Sequence, residues 1–155
     1  MSLASNGYGW VAFSNNTFQQ RISSAVREIE KIIKKHDIDA IAFSGSSGSA
    51  LAFNIASRIN IGLLYIRKEK ESRNTSNTVE CNTHTEIRNY LIVDDFICMG
   101  ETVRRIARSI EEVAISKSTC IPECKGIYLY DDDDPYKEFS VCGNTVPVFA
   151  LKFGR

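Results

Sequence analysis

The sequence predicts an α/β fold: a mostly parallel, twisted sheet flanked by helices. Three observations carry this expectation. Stretches of helical and strand period alternate along the chain, in the order helix, strand, helix, strand, long polar segment, strand, helix, strand, strand. Tyr90-Leu91-Ile92-Val93 is an uninterrupted apolar run, which suits a strand covered on both faces. That run passes through Asp94-Asp95 and a short turn into Val103, Ile106, Ala107, Ile110 and Val113 at helical spacing. Strand, turn and amphipathic helix in this order set the paired acids at the carboxyl end of a strand, where open α/β sheets bind ligands.

With 155 residues, a single domain spanning 1–155 is expected, large enough for a sizeable core. Lys plus Arg equals Asp plus Glu at 19 each, so no overall field favours nucleic acid or an acidic surface. No apolar run reaches transmembrane length, and Met1 to Asn16 is too polar for a signal peptide, so no membrane partner is expected. The five cysteines are odd in number and sparse, which fits reduced thiols in a cytoplasmic protein.

In chain order, Tyr8, Trp10, Val11 and Phe13 suggest an N-terminal strand or arm packed on the core. Phe18, Ile22, Ala25, Val26, Ile29, Ile32 and Ile33 form a helical stripe from Asn16 to His36, capped by Asn15 or Asn16 and basic in its last turn. Asp39 to Phe43 reads as a strand. Ser44-Gly45-Ser46-Ser47-Gly48-Ser49 follows as a Gly/Ser loop, then Ala50 to Ile59 as a helix. Gly62 to Ile66 is the next strand and ends in Arg67-Lys68. Lys70 to Asn89 is polar and reads as a flexible loop, about 69–89, with room for a hairpin. Cys81 and His84 share a CxxH spacing, but no second ligand pair follows, which argues against zinc. Ser116 to Glu123 is a loop, and Gly126 to Tyr130 the fourth parallel strand. Cys120 and Cys124 read as packing or surface residues, and Asp131 to Asp134 as a self-repelling solvated turn. Val146 to Phe153 alternates and reads as an edge strand, which Pro147 tolerates.

The turn after Val93 has a legible chemistry. Backbone N–H groups from Met99 to Thr102 open a helix without intrahelical partners and can cradle an anion, with the helix dipole assisting. Gly100 admits a positive φ, and Thr102 adds a hydroxyl donor. Asp94 and Asp95 accept hydrogen bonds when ionised, which suits sugar hydroxyls or hydrated magnesium. A phosphate cradle beside acceptors for a diol describes a sugar-phosphate site.

These residues resemble the phosphoribosyl-pyrophosphate (PRPP) motif of the type I phosphoribosyltransferases, with Asp94, Asp95, Gly100 and Thr102 in register. Cys98 stands where many members carry Ser, Thr or Asp, and Met99 where Thr, Gly or Ala is usual. The resemblance implies that family's fold, here with a small hood. It implies that Cys98, Met99, Gly100, Glu101 and Thr102 hold the 5′-phosphate, while Ser44, Gly45, Ser46, Ser47 and Gly48 hold pyrophosphate with Arg67 and Lys68 beside it. It makes Asp94, Asp95 and Lys68 the catalytic residues. Magnesium is the implied cofactor, held by Asp94 and Asp95, directly or through water, and otherwise by water and substrate oxygens. The loop at 69–89 takes the place of the family's catalytic loop, with Arg73, His84 and Arg88 as contributors, and Tyr130, Asp131, Phe149 and Phe153 as base contacts. The implied partners are PRPP, a nucleobase-like acceptor and a second copy of the chain. Two functional readings follow: transfer of ribose 5-phosphate to a nitrogenous base with release of pyrophosphate, or a non-catalytic PRPP- or nucleotide-binding regulator on the same fold.

Overall fold

The computed structural model describes residues 15–68, 78–132 and 134–152. The N-terminal arm around Tyr8, Trp10, Val11 and Phe13, the loop residue Arg73 and the base-contact candidate Phe153 lie outside the described residues. Helix α1 spans Asn15–His36, β1 Ala40–Phe43, α2 Gly45–Ala56, β2 Gly62–Ile66, β3 Val79–Cys81, β4 Asn89–Asp94 and α3 Glu101–Ser116. Strands β5 (Glu123–Leu129), β6 (Glu138–Val141) and β7 (Asn144–Ala150) follow.

Among the described residues the sheet has seven strands, in the order β3-β2-β1-β4-β5-β7-β6. The pairs β2–β1, β1–β4, β4–β5 and β5–β7 are parallel, while β3 and β6 close the two edges antiparallel. The predicted fold class is therefore the observed one. Alternation along each strand sorts the core into two layers. Ile41, Phe43, Leu91 and Val93 pack with Ile22, Val26 and Ile29 of α1 and Leu51 and Ile55 of α2. Ala40, Ala42, Tyr90 and Ile92 pack on the other face with Val103, Ile106 and Ile110 of α3. Both faces of β4 are covered, which is why its sequence reads as an unbroken apolar run.

Several boundaries differ from the sequence expectation, each for a physical reason. The Gly/Ser stretch is not a loop ahead of a helix at Ala50; α2 begins at Gly45, so these residues are its opening turn. Small polar residues there weaken the helical signal but leave the N-terminus open to a ligand. Within the polar segment, β3 pairs antiparallel with β2, yet Val79-Glu80-Cys81 is too short to show a period. The C-terminal strand is not an edge. The hairpin partner β6 lies outside it, joined through Cys142 (φ 48°) and Gly143 (φ 80°), the doubly left-handed pair of a tight two-residue turn. Pro147 is accommodated because parallel pairing with β5 starts one residue later, at Val148.

The chain leaves β1 toward β2 on one side, and leaves β4 toward β5 on the other. The crevice at the carboxyl ends of β1 and β4 is thus a topological switch point, with α2 starting on one face of the sheet and α3 on the other.

Candidate active site

A cavity of about 400 Å³ occupies this crevice, lined by Ser44–Ser47, Lys68 and the continuous run from Asp94 to Val103. Its walls are two helix starts. Neither α2 nor α3 has a side-chain cap on its first turn, so the opening N–H groups of both helices are left to whatever fills the cavity. Gly100 precedes α3 with φ 77°, a left-handed conformation that turns the chain out of the loop and into the helix. The Arg104 N–H makes the bond to the Gly100 carbonyl at 3.0 Å that closes the first turn.

Asp94 and Asp95 end β4 between those helix starts, 6 % and 8 % exposed. Asp94 Oδ1 accepts from Ser47 Oγ at 3.1 Å and from the Asp95 N–H at 3.0 Å. Asp95 Oδ1 accepts from the Phe96 N–H at 2.8 Å. Burial, and then the neighbouring Asp95 charge, push Asp94 up to about 7, against the lowering effect of those bonds. The Tyr130 hydroxyl donates to the Ser47 carbonyl at 3.0 Å, and burial with the two nearby carboxylates raises its pKa.

Opposite the acids, Lys68 reaches over the start of α2. A Cβ placed on Gly45, whose φ is 69°, would meet Lys68 Cε at 3.3 Å and Nζ at 3.4 Å. A glycine there lets the ammonium approach the helix N-terminus, and the two together form a positive pole.

Most of the residues singled out in the sequence meet here: Asp94, Asp95, Lys68, Ser44 to Ser47 and Cys98 to Thr102 all line the cavity. Three of the candidates make contacts of a structural kind. Ser44 lines the cavity, but its buried hydroxyl donates to the Ile66 carbonyl at 2.6 Å. Gly48 lies beneath the site, where a Cβ would stand 3.0 Å from Phe43 Cβ and 3.1 Å from the Val93 carbonyl; it lets α2 pack close on β1 and β4. Arg67 turns away from the cavity, pairs with Glu80 at 2.5 Å and lies 5.7 Å from the centre of the Tyr65 ring. Further afield, His84 lines a separate groove with Ile110, Val113 and Lys117, and Arg88 approaches Asp37 and Asp39 at 3.7 and 3.9 Å. Asp131 pairs with Arg21, and Phe149 lies against His36 with ring centres 5.8 Å apart. All five cysteines are free thiols.

Three side chains beside the site escaped the sequence reading. Phe139 of β6 lies on Gly100, and Arg104 stacks on its ring at 4.8 Å while donating to the Met99 carbonyl at 2.8 Å. Arg105, in the second turn of α3, bonds to Ser44 Oγ and the Arg67 carbonyl, both at 3.0 Å. The adjacent arginines at 104 and 105 fall outside the apolar stripe of α3, which was the available signal.

Magnesium can be tested against this donor set. Among the described residues, no group of three or more His, Cys, Asp or Glu side chains could hold a metal ion. The two adjacent carboxylates do supply hard oxygen donors at the end of β4. The residues fit an ion held in part by Asp94 and Asp95 and completed by water and substrate oxygens. Among the described residues, no helix is long and apolar enough to cross a membrane.

With the geometry in place, the chain can be set beside known proteins. Adenine phosphoribosyltransferase from Saccharomyces cerevisiae, solved with an imino-altritol bisphosphate and adenine, superposes with a TM-score of 0.60. That match has 19 % identity and covers 89 % of this chain and 80 % of the yeast protein. Orotate phosphoribosyltransferase from Aeropyrum pernix gives a TM-score of 0.54 at 16 % identity, over 83 % of this chain and 66 % of the other. In sequence, the ribose-phosphate pyrophosphokinase of Mycoplasma genitalium is 27 % identical over 135 residues. The match takes in 81 % of this chain, which spans 40 % of the length of that relative. No family model matches the chain. The fold is that of the type I phosphoribosyltransferases.

Proposed function

We propose that the chain is a phosphoribosyltransferase that transfers the ribose 5-phosphate group of PRPP to a nitrogenous base and releases pyrophosphate. The observation that carries this reading is the convergence of two uncapped helix starts on one cavity, with a carboxylate pair between them and a lysine over one of them. Two anion poles separated by diol acceptors match a molecule phosphorylated at both ends of a ribose. The neighbours' names add phosphoribosyl transfer, and that of the curated relative joins ribose phosphate to pyrophosphate.

The 5′-phosphate sits in the loop from Cys98 to Gly100, on the N–H groups of Glu101, Thr102 and Val103, with the Thr102 hydroxyl as a further donor. Asp94 and Asp95 accept from the 2′- and 3′-hydroxyls. Their charge also offsets the positive charge that grows on the ribose as its bond to the diphosphate oxygen breaks. The N–H groups of Gly45 to Ser47 and the Lys68 ammonium take the pyrophosphate, which leaves with the bonding pair while the base nitrogen bonds to the anomeric carbon. Asp94 and Asp95 would hold magnesium, directly or through water, and the bound ion would neutralise charge on the diphosphate. No described residue is assigned as general base; the nitrogen attacks with its lone pair, and a proton it carries passes to the departing pyrophosphate or to water. The reading carries a cytoplasmic location with it, in keeping with the free thiols.

The exposed thiol of Cys98 and the 73 % exposed Met99, both in the phosphate loop, favour a second reading: a regulator that binds PRPP without transferring it. Calorimetric titration with PRPP, with and without magnesium, followed by a nucleobase screen for pyrophosphate release, tests both readings. Magnesium-dependent binding with release in the presence of one base establishes the transferase, and binding without release under any base establishes the regulator. Absence of binding to PRPP, ribose 5-phosphate and nucleoside monophosphates overturns both.

A further inference from the structure

We infer that Arg105 is a positioning residue: it assembles the diphosphate pole of the cavity and joins it to the helix that opens the phosphate pole. The inference rests on the function proposed above. Its guanidinium crosses from the second turn of α3 to two different segments. Nη1 donates to the Arg67 carbonyl at 3.0 Å, and Nη2 donates to Ser44 Oγ at 3.0 Å. Ser44 Oγ in turn donates to the Ile66 carbonyl at 2.6 Å, which closes a hydrogen-bonded link between the end of β2 and the start of α2.

The residues held are those that matter. The Arg67 carbonyl belongs to the peptide unit that leads into Lys68, and Ser44 directly precedes Gly45. Lys68 and Gly45 are the two residues whose close approach forms the diphosphate pole. Both contacts of Arg105 thus fall on residues adjacent in sequence to Gly45 and Lys68, while Arg105 itself is not part of the cavity lining. Arg105 also shares a helix with Glu101 and Thr102, so the two poles are referenced to one rigid element. A planar fork with separate donors suits two acceptors on different segments; the compact ammonium of lysine reaches one of them well and the other poorly.

Loss of this side chain removes the bridge between Ser44 Oγ and the Arg67 carbonyl and leaves Ser44 only its bond to Ile66, so the damage falls on the diphosphate pole. The test is calorimetric titration of the full chain with magnesium pyrophosphate and, separately, with ribose 5-phosphate. Arg105→Ala weakens pyrophosphate binding by about tenfold or more, while ribose 5-phosphate stays within about twofold of wild type. Arg105→Lys falls between the two. Should Arg105→Ala fail to fold, Ser44→Ala carries the test, with the same one-sided loss expected. Wild-type pyrophosphate affinity in the folded variant overturns the inference. So does an equal loss for both ligands, which marks a role in general stability. A wild-type protein that binds neither ligand overturns the function proposed above, and this inference with it.

Discussion

Ser47 Oγ donates to Asp94 Oδ1 at 3.1 Å, which ties the opening turn of α2 to the carboxyl end of β4. The Tyr130 hydroxyl, at the end of β5, holds the same serine through its carbonyl at 3.0 Å. Two bonds to Asp94 favour its charged form, yet burial and the Asp95 charge outweigh them and set its pKa to about 7. Asp94 is therefore only partly ionised near neutrality in the folded chain.

A pH dependence of stability follows. Between the ordinary value of 3.8 and the folded value near 7, the native chain keeps a proton on Asp94 that the unfolded chain has lost. The contribution of this group is full below 3.8 and is lost as pH rises through about 7. Asp94→Asn has no such proton to lose. Urea denaturation of the metal-free protein should show the stability difference, wild type minus Asp94→Asn, falling as pH rises from about 4 to 8. A difference that is flat or rising over that range would refute the shift.

Gly100 and Phe139 make a steric prediction. A Cβ on Gly100 would stand 2.0 Å from Phe139 Cζ, and φ at this position is 77°. Gly100→Ala should cost about 2–4 kcal/mol, the sum of left-handed strain and a core overlap. Phe139→Ala in the same chain removes the overlap and leaves the strain, so the double variant should be less destabilised than the two single losses added together. Strict additivity in denaturant melts would show that the ring does not press on the loop.

The carboxylate pair makes a functional prediction. Both acids are buried at a strand end, with backbone N–H and hydroxyl donors as their nearest partners, so amides of the same shape preserve packing. The double variant Asp94→Asn, Asp95→Asn should keep the wild-type circular dichroism spectrum and lose magnesium-dependent PRPP binding. Affinity equal to wild type in calorimetry would remove the acids from the site.

Legibility followed physical range. The run from Tyr90 to Thr102 was readable because strand burial, paired acids and a helix start all act within thirteen consecutive residues. Lys68 was readable as a cation at a strand end, and Ser44 to Ser47 as small polar residues after an apolar strand. What those residues face was not readable. The difference between Ser44 and Ser47, one hydroxyl committed to Ile66 and the other to Asp94, depends on strand spacing that only the sheet supplies. The close packing at Gly48 appears only when α2 lies across Phe43 and Val93. Strand β6 left a weak alternation, Phe139 and Val141, ahead of a turn whose Cys142 is an uncommon residue for a left-handed conformation.

Arg67 and Lys68, adjacent in sequence and equal in charge, separate cleanly in space, and their variants should separate too. Arg67 is spent on structure: it bonds Glu80 through Nε at 2.9 Å and Nη2 at 2.5 Å and lies beside the Tyr65 ring, joining β2 to β3. Its side chain is 17 % exposed and that of Glu80 37 %, so screening limits the pair to about 1 kcal/mol. Lys68 lines the cavity and reaches over Gly45. Arg67→Gln should therefore lower the unfolding midpoint while pyrophosphate affinity falls only slightly. Lys68→Gln should weaken pyrophosphate binding by about tenfold to a hundredfold, the scale of a hydrogen bond to a charged group. Thermal melts and calorimetry on the two variants give four values. The opposite pattern, with affinity following Arg67 and stability following Lys68, would exchange the two roles and move the diphosphate pole to the outer edge of β2.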